Sequence, residues 1–454
     1  MTGVSLSRWT MSYFAAALLA LVAAELLMAL GVGFPGAPLE APQTLVLVHL
    51  VALGWLSLLL CGALFQFVPV LVAKPLHDND LPLPILACLV IGLALLLCGF
   101  LQLDGSLQTQ MPLLPAGGTL LLIGFLLVLY DLGRTLWAGR PLPLPARFVA
   151  MGLVSVAVAA GFGVTFTYVL GGATDAGPLV DLTIAGLPLH AIAGLGGWLT
   201  FTAMGVSYRL LAMFMLAPED KRLTSTLALW GGVAALLLAL AGGAAAILLG
   251  FDPAPVLVVA ALLAVPVLAL YGYDVVGLYR RRKRRRLETN SLMAAPALVA
   301  LGLGAALLVG LMALGMLERH VGAVVYLLAF GWLTGLGLAQ LYKIVAFVTW
   351  LECYGPVLGK TPTPRVQDLV VEQRARKWFY LYYGTVALGT VALFLEQALV
   401  FRVLALLLVV ATLGLGVEFV RARRLVDVAA ALRLPQGARQ PHLLHALVAQ
   451  HQGE

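Results

Sequence analysis

Apolar runs of about twenty residues follow one another along the chain, and short polar stretches between them hold most of the charge. Wound as a helix at 1.5 Å per residue, such a run crosses a hydrocarbon core of roughly 30 Å. About twelve are present, at 11-33, 43-73, 82-103, 113-137, 147-172, 181-216, 225-250, 254-279, 292-316, 320-351, 376-396 and 398-420. The pattern predicts an all-α, polytopic membrane bundle. The first run follows a single Arg and lacks a small-residue cleavage site, so it reads as a retained helix and not as a signal peptide.

Composition agrees with lipid as the solvent. Hydrophobic residues make up 62% and charged residues 11% of the 454, far from the half-apolar, quarter-charged average of soluble domains. Charge position then sets the expected orientation. With the N-terminus in the cytoplasm, inward connections carry Lys74, the group Arg134, Arg140 and Arg147, the pair Lys221 and Arg222, and RRRKRRR from Arg280 to Arg286. They also carry the segment from Lys360 to Lys377 and the tail from Arg421 onward, whereas outward connections hold only Arg319 and Arg402. That asymmetry is what the positive-inside rule expects, and it puts both termini in the cytoplasm of a bacterial-type inner membrane. The net charge of +7 therefore implies no nucleic-acid partner; the lipid bilayer is the expected one. Cys61, Cys88, Cys98 and Cys353 lack CxxC spacing and read as small apolar packing residues.

One phrase occurs three times. GWLSLLLCGALFQF begins at Gly54, GWLTFTAMGVSYRL at Gly197 and GWLTGLGLAQLYKI at Gly331, each ending in an aromatic and a polar or cationic residue: Phe65-Gln66, Tyr208-Arg209 and Tyr342-Lys343. The phrases fall in the second, sixth and tenth spans, one in every fourth helix. The chain thus divides into three pseudo-symmetric four-helix units, about 1-137, 140-279 and 290-424, within a single transmembrane domain 1-424, followed by a cytoplasmic tail 425-454. An even number of crossings between copies makes the repeats parallel. Gly54, Gly197 and Gly331 permit close approach of a neighbouring helix or of a flat ligand, and both readings stand at this level. Arg209 and Lys343 can snorkel to headgroups while Tyr208 and Tyr342 sit in the aromatic belt.

Histidine supplies the candidate chemistry. His77 lies in a connection beside Asp78 and Asp80, and His442, His445 and His451 lie in the tail, all in positions open to solvent. The segment PHLLHALVAQH reads as a short amphipathic stretch. His49, His190 and His320 are different, because each precedes a Gly-Trp phrase in the outer part of its helix. An imidazole carried into lipid is costly unless it is paired or ligates something. His49 and His190 are candidate metal or haem ligands; the alternative is a hydrogen bond to a backbone carbonyl or to a Tyr of another helix. His320, in Glu318-Arg319-His320 at the helix entrance, is the weaker candidate. Tyr326 takes, in the third copy, the register that His49 has in the first. Glu25, in AAELLMALG of the first span, is a candidate for a proton route.

Twelve helices in three arcs of four, with histidines in the second, sixth and tenth, resemble subunit I of the haem-copper oxidases, especially the cbb3-type and nitric-oxide-reductase-like branches. The segment VHLVALGWLSLLLCGALFQFVPVL is similar to their second helix, where a histidine ligates the low-spin haem. The resemblance implies haem at His49, with copper as a weaker expectation, and a respiratory-chain or cytochrome subunit as partner. That family draws three histidines for the binuclear centre from the sixth and seventh helices and a His-x-His from the tenth. Here the sixth has only His190, the seventh none and the tenth only His320 at its entrance, so terminal oxidase activity is not expected. The expected function is a haem-binding membrane protein in electron transfer, response to NO or O2, or haem and copper handling. The alternative is a cofactor-free transporter or assembly partner on the same scaffold, for which Gly171-Gly172 and Gly242-Gly243 are the nearest candidate helix breaks.

Overall fold

The structure, a computed structural model, describes residues 7–218 and 222–445; Lys221 and His451 lie outside the described residues. Those residues form long helices with no strand among them. In chain order the long helices are α1 (Thr10–Leu30), α2 (Pro42–Val72), α3 (Pro82–Leu103), α4 (Leu113–Ala138), α5 (Leu144–Leu170) and α6 (Leu187–Met215). Then come α7 (Leu223–Leu248), α8 (Ala254–Arg280), α9 (Thr289–Ala313), α10 (Leu317–Val357), α11 (Glu372–Phe394) and α12 (Ala398–Arg423). Eleven are long and apolar enough to cross a membrane, so the chain is a multi-pass helical membrane protein. The remaining one, α11, opens with Glu372, Arg374, Arg376 and Lys377. Those charges fill its first turns and shorten its apolar stretch.

Boundaries follow local chemistry. Pro occupies the first turn of α2, α3, α5, α6 and α8, where its missing N–H costs no hydrogen bond. Gly31 closes α1 in the left-handed conformation, φ 79°, with its N–H on the carbonyls of the last turn. The run predicted at 181-216 is not one helix. A short helix, Gly177–Ala185, ends at Gly186, and α6 starts afresh with Pro188 in its first turn.

Contacts gather the chain into two compact units. Unit 1 comprises Met1–Leu39, Leu58–Phe67 and Leu287–Glu454; unit 2 comprises Glu40–Ser57 and Val68–Arg286. Unit 1 thus holds α1, α9–α12 and a ten-residue stretch of α2, and unit 2 holds the rest of α2 with α3–α8. Small residues bring helices together within unit 2. A Cβ on Gly117 of α4 would stand 2.5 Å from the backbone of Leu96 on α3, so only Gly allows that approach. Of the apolar window of α10, 78% is buried, against 17% of that of α8. Large apolar side chains such as Leu19, Leu262, Leu399 and Val403 remain exposed, a surface suited to lipid.

The repeated phrase has a local structural counterpart. Each copy lies in a stretch of π-helix, at Leu50–Ser57, Ile192–Phe201 and Leu327–Thr334, inside an otherwise α-helical span. Trp55, Trp198 and Trp332 are all buried. A π register closes its hydrogen bonds one residue further along than an α-helix does, and such stretches are rare and frequently found at functional sites. A fourth stretch, Leu238–Gly242 in α7, carries no Gly-Trp phrase.

Candidate functional site

The sequence-predicted residues divide between the units. His49, His190, Gly54 and Gly197 belong to unit 2; Glu25, His320 and Tyr326 belong to unit 1. In unit 2, the rings of His49 and His190 come together with centroids 6.4 Å apart and planes 29° from parallel. His49 stands at the junction where α2 passes from α to π register. His190 stands just before the π stretch of α6.

Each ring is oriented by a backbone carbonyl. His49 Nδ1 lies 2.7 Å from the Leu45 carbonyl, one turn back on its own helix. His190 Nδ1 lies 3.0 Å from the Ala159 carbonyl of α5. A carbonyl can only accept, so Nδ1 carries the proton in both rings and each Nε2 presents a lone pair. Backbone anchoring of one ring nitrogen is how proteins fix the tautomer and direction of a ligating histidine. It is equally the carbonyl pairing that the sequence left open as the alternative. The geometry therefore satisfies one nitrogen of each imidazole without using the other.

The walls are apolar. Phe100 of α3 packs on His49 at 5.0 Å, and Phe166 of α5 packs on His190 at 5.5 Å. Gly163 lies against His190, where a Cβ would come within 3.4 Å of Cε1. Both histidine rings are half-buried, so protein does not close the site completely. Two imidazoles bound through Nε2 on opposite sides of one metal ion, at about 2 Å each, place their ring centres roughly 6 Å apart. The observed centroid separation of 6.4 Å is of that size, so His49 and His190 are the two residues that could hold such a group. Among the described residues no group of three or more His, Cys, Asp or Glu is gathered to hold a metal ion.

The glycine notches are filled by protein. A Cβ on Gly197 would stand 2.5 Å from Ser155 of α5, and one on Gly331 2.9 Å from Ala300 of α9. In each case the preceding helix takes the space, so at these two positions the packing alternative holds. Gly54 is buried as well. The Trp beside Gly197 has a polar role: Trp198 Nε1 donates to Ser57 Oγ at 2.9 Å, and that hydroxyl donates in turn to the Ala52 carbonyl, five residues back in the π stretch, at 2.7 Å. The first and second copies are thereby pinned to each other inside unit 2.

The third copy is different. His320 is buried against Phe394 at 5.2 Å, a packing position at the start of α10. Tyr326 is sandwiched by Phe330 and Phe401, with ring centroids at 4.9 and 5.3 Å. Glu25 is fully buried. In the tail, Arg423 donates to the carbonyls of His442 and His445, whose rings stack at 3.8 Å. Of the amphipathic stretch PHLLHALVAQH only residues 441–445 are described, and they are not helical; the rest lies outside the described residues.

Several polar groups escaped the sequence reading. Asp274 of α8 is an anchor in unit 2, receiving Tyr208 at 3.0 Å, Arg222 at 3.2 Å and Thr224 at 2.6 Å. In unit 1, Glu352 pairs with Arg423 at 2.5 Å and Glu418 with Arg374 at 2.5 Å, both carboxylates buried. Each is an acidic residue in or beside an apolar run, the signal that singled out Glu25. The π stretches had no such signal, because helix propensity does not distinguish the two registers. Gly171 and Gly172 mark the end of α5 and its following turn, while Gly242-Gly243 falls inside the continuous helix α7, so neither unwinds a span at mid-length. No family model matches the sequence, and no curated protein matches it.

Proposed function

We propose that this protein is a haem-binding membrane protein in which His49 and His190 of unit 2 would hold the haem iron. The observation that carries the reading is the pair of imidazoles, each with Nδ1 committed to a carbonyl, with ring centres 6.4 Å apart. A bound haem would supply one-electron chemistry or capture of a small gas. The protein's own part is to fix both tautomers through Leu45 and Ala159, to line the site with Phe100 and Phe166, and to keep α2 and α6 in register through Trp198 and Ser57. With His49 and His190 both serving as ligands, the chemistry supplied would be electron transfer more than reaction with a substrate at the metal. No oxygen-reducing step is assigned. Both termini belong in the cytoplasm on this reading, by the distribution of Lys and Arg, and a respiratory cytochrome is the class of partner that would exchange electrons with the site. Copper held by the same two nitrogens is the second outcome to measure, since imidazole suits both metals.

The test is a reduced-minus-oxidised visible spectrum of protein purified from haem-replete cells, with iron and copper content determined on the same sample. A Soret-region signal that falls at least tenfold in His49→Ala and in His190→Ala is expected. Stoichiometric copper without haem would transfer the site to copper handling. Absence of both would return the protein to the transporter or assembly class, which solute uptake into vesicles then addresses.

A further inference from the structure

A second polar cluster within the spans lies in unit 1, and the paired histidines make no use of it. Glu25 of α1 has no exposed surface. Its Oε1 accepts a hydrogen bond from Thr412 Oγ1 of α12 at 2.8 Å, and its Oε2 has no hydrogen-bond partner among the described residues. Tyr326 of α10 and Tyr382 of α11 are both buried and within electrostatic range of the carboxyl. The Tyr382 hydroxyl donates to the Phe330 carbonyl at 2.8 Å, in the third π stretch. Tyr326 stands as far before Gly331 as His49 stands before Gly54. Where the first copy carries an imidazole, the third carries a phenol with a carboxyl near it.

The charged groups on the surrounding helices are engaged elsewhere. On α12, Arg402 donates to the Ala29 carbonyl at 3.2 Å, nearer the end of α1, and Arg423 pairs with Glu352 of α10. Glu418 of α12 is held by Arg374 of α11. His320 of α10 packs on Phe394 of α11, and the α2 stretch that meets α1 offers only Gln66, bonded to Ser7 and Thr10. A buried carboxyl that among the described residues has no cation beside it and one oxygen unmatched is stable in such surroundings when it carries a proton. A metal cation would require about six oxygens, and the cluster offers Glu25, one Thr hydroxyl and phenols. We propose that Glu25 is a reversible proton-binding site of unit 1, a carboxylic acid seated among Thr412, Tyr326 and Tyr382. This stands independently of ligation at His49 and His190.

Infrared spectroscopy of the purified full chain reads this directly. At neutral pH a protonated-carboxyl C=O band that shifts in D2O is expected, and it disappears in Glu25→Gln. Thr412→Val, which removes the hydroxyl donor and keeps the shape, is expected to shift the band without abolishing it, so the proposal stays testable if Glu25→Gln fails to fold. A spectrum without such a band, a band indifferent to Glu25→Gln, or one indifferent to Thr412→Val would overturn the proposal. So would loss of the band on adding sodium chloride at constant pH, which would assign the site to a metal cation.

Discussion

Units 1 and 2 each carry a Gly-Trp phrase in a π-helical stretch, yet they satisfy their buried polar groups by opposite means. Unit 2 places two imidazoles on backbone carbonyls and a Trp indole on a Ser hydroxyl. Its ionic anchor, Asp274 with Arg222, sits near the basic end of α8. Unit 1 is fastened by ion pairs: Glu352 with Arg423, Glu418 and Asp427 with Arg374, and Lys343 with Glu288 at 2.6 Å. Asp427 lies just past α12. Burial works against its charge, but hydrogen bonds from Arg421 and Arg374 outweigh it and hold the carboxyl below the usual range. A neutral donor with a spare lone pair can receive a ligand, whereas a saturated ion pair can only hold helices in place. The two units thus differ in how they hold these groups: carbonyl and hydroxyl partners for the imidazoles and the indole of unit 2, ion pairs for most of the buried carboxylates of unit 1.

The largest effect should come from breaking that fastening. Arg423→Met leaves Glu352 buried without its partner, and removal of one member of a buried pair costs about 3–5 kcal/mol. Thermal unfolding in detergent should register it, with the double variant Arg423→Met/Glu352→Leu recovering much of the loss. Equal damage in the single and double variants would mean that Arg423 acts chiefly by holding the carbonyls of His442 and His445.

A smaller change should separate the two motif copies of unit 2. Trp198→Phe keeps an aromatic ring but deletes the donor to Ser57 and leaves part of the indole volume empty, so it should cost more than the about 1 kcal/mol of the hydrogen bond alone. Ser57→Ala should cost about 1 kcal/mol, and the double variant should lose less than the sum of the two single losses, since the hydrogen bond is removed only once. Additive losses would show that the bond contributes nothing and that the π stretches are held by packing.

The smallest effect belongs to the exposed pair Arg319 and Glu396, at 2.8 Å near the ends of α10 and α11. The hydrogen bond and charge of Arg319 hold the Glu396 carboxyl below its ordinary range. Any stabilisation is therefore complete above the unfolded-state value near 4.3 and declines as pH falls through the lower folded-state value. At neutral pH, Arg319→Gln should leave the melting temperature within error, because exposed ion pairs are screened. A clear drop would make this pair part of the fastening of unit 1.

Span positions were legible because apolar length and punctuation by Pro and Gly are local properties. Only the breaks that depend on a single turn, such as Gly186 inside the predicted run 181-216, were missed. His49 and His190 were legible as costly residues, but their partnership was not. They stand at unequal distances from their Gly-Trp phrases, so repeat arithmetic does not pair them. Glu352 and Glu418 passed unnoticed because they sit at span ends, where charge is ordinary.

By itself, the sequence determined that this chain crosses a bilayer many times, that one phrase recurs in every fourth helix, and that some imidazoles enter the apolar runs. Those features follow from side-chain solubility and spacing, which each segment carries wherever it sits. The tertiary structure decided which histidines meet, which glycine notches are filled by a neighbouring helix, and which carboxyls find a cation. Each of those outcomes depends on the approach of helices distant in the chain, and on a π register that changes where their side chains arrive.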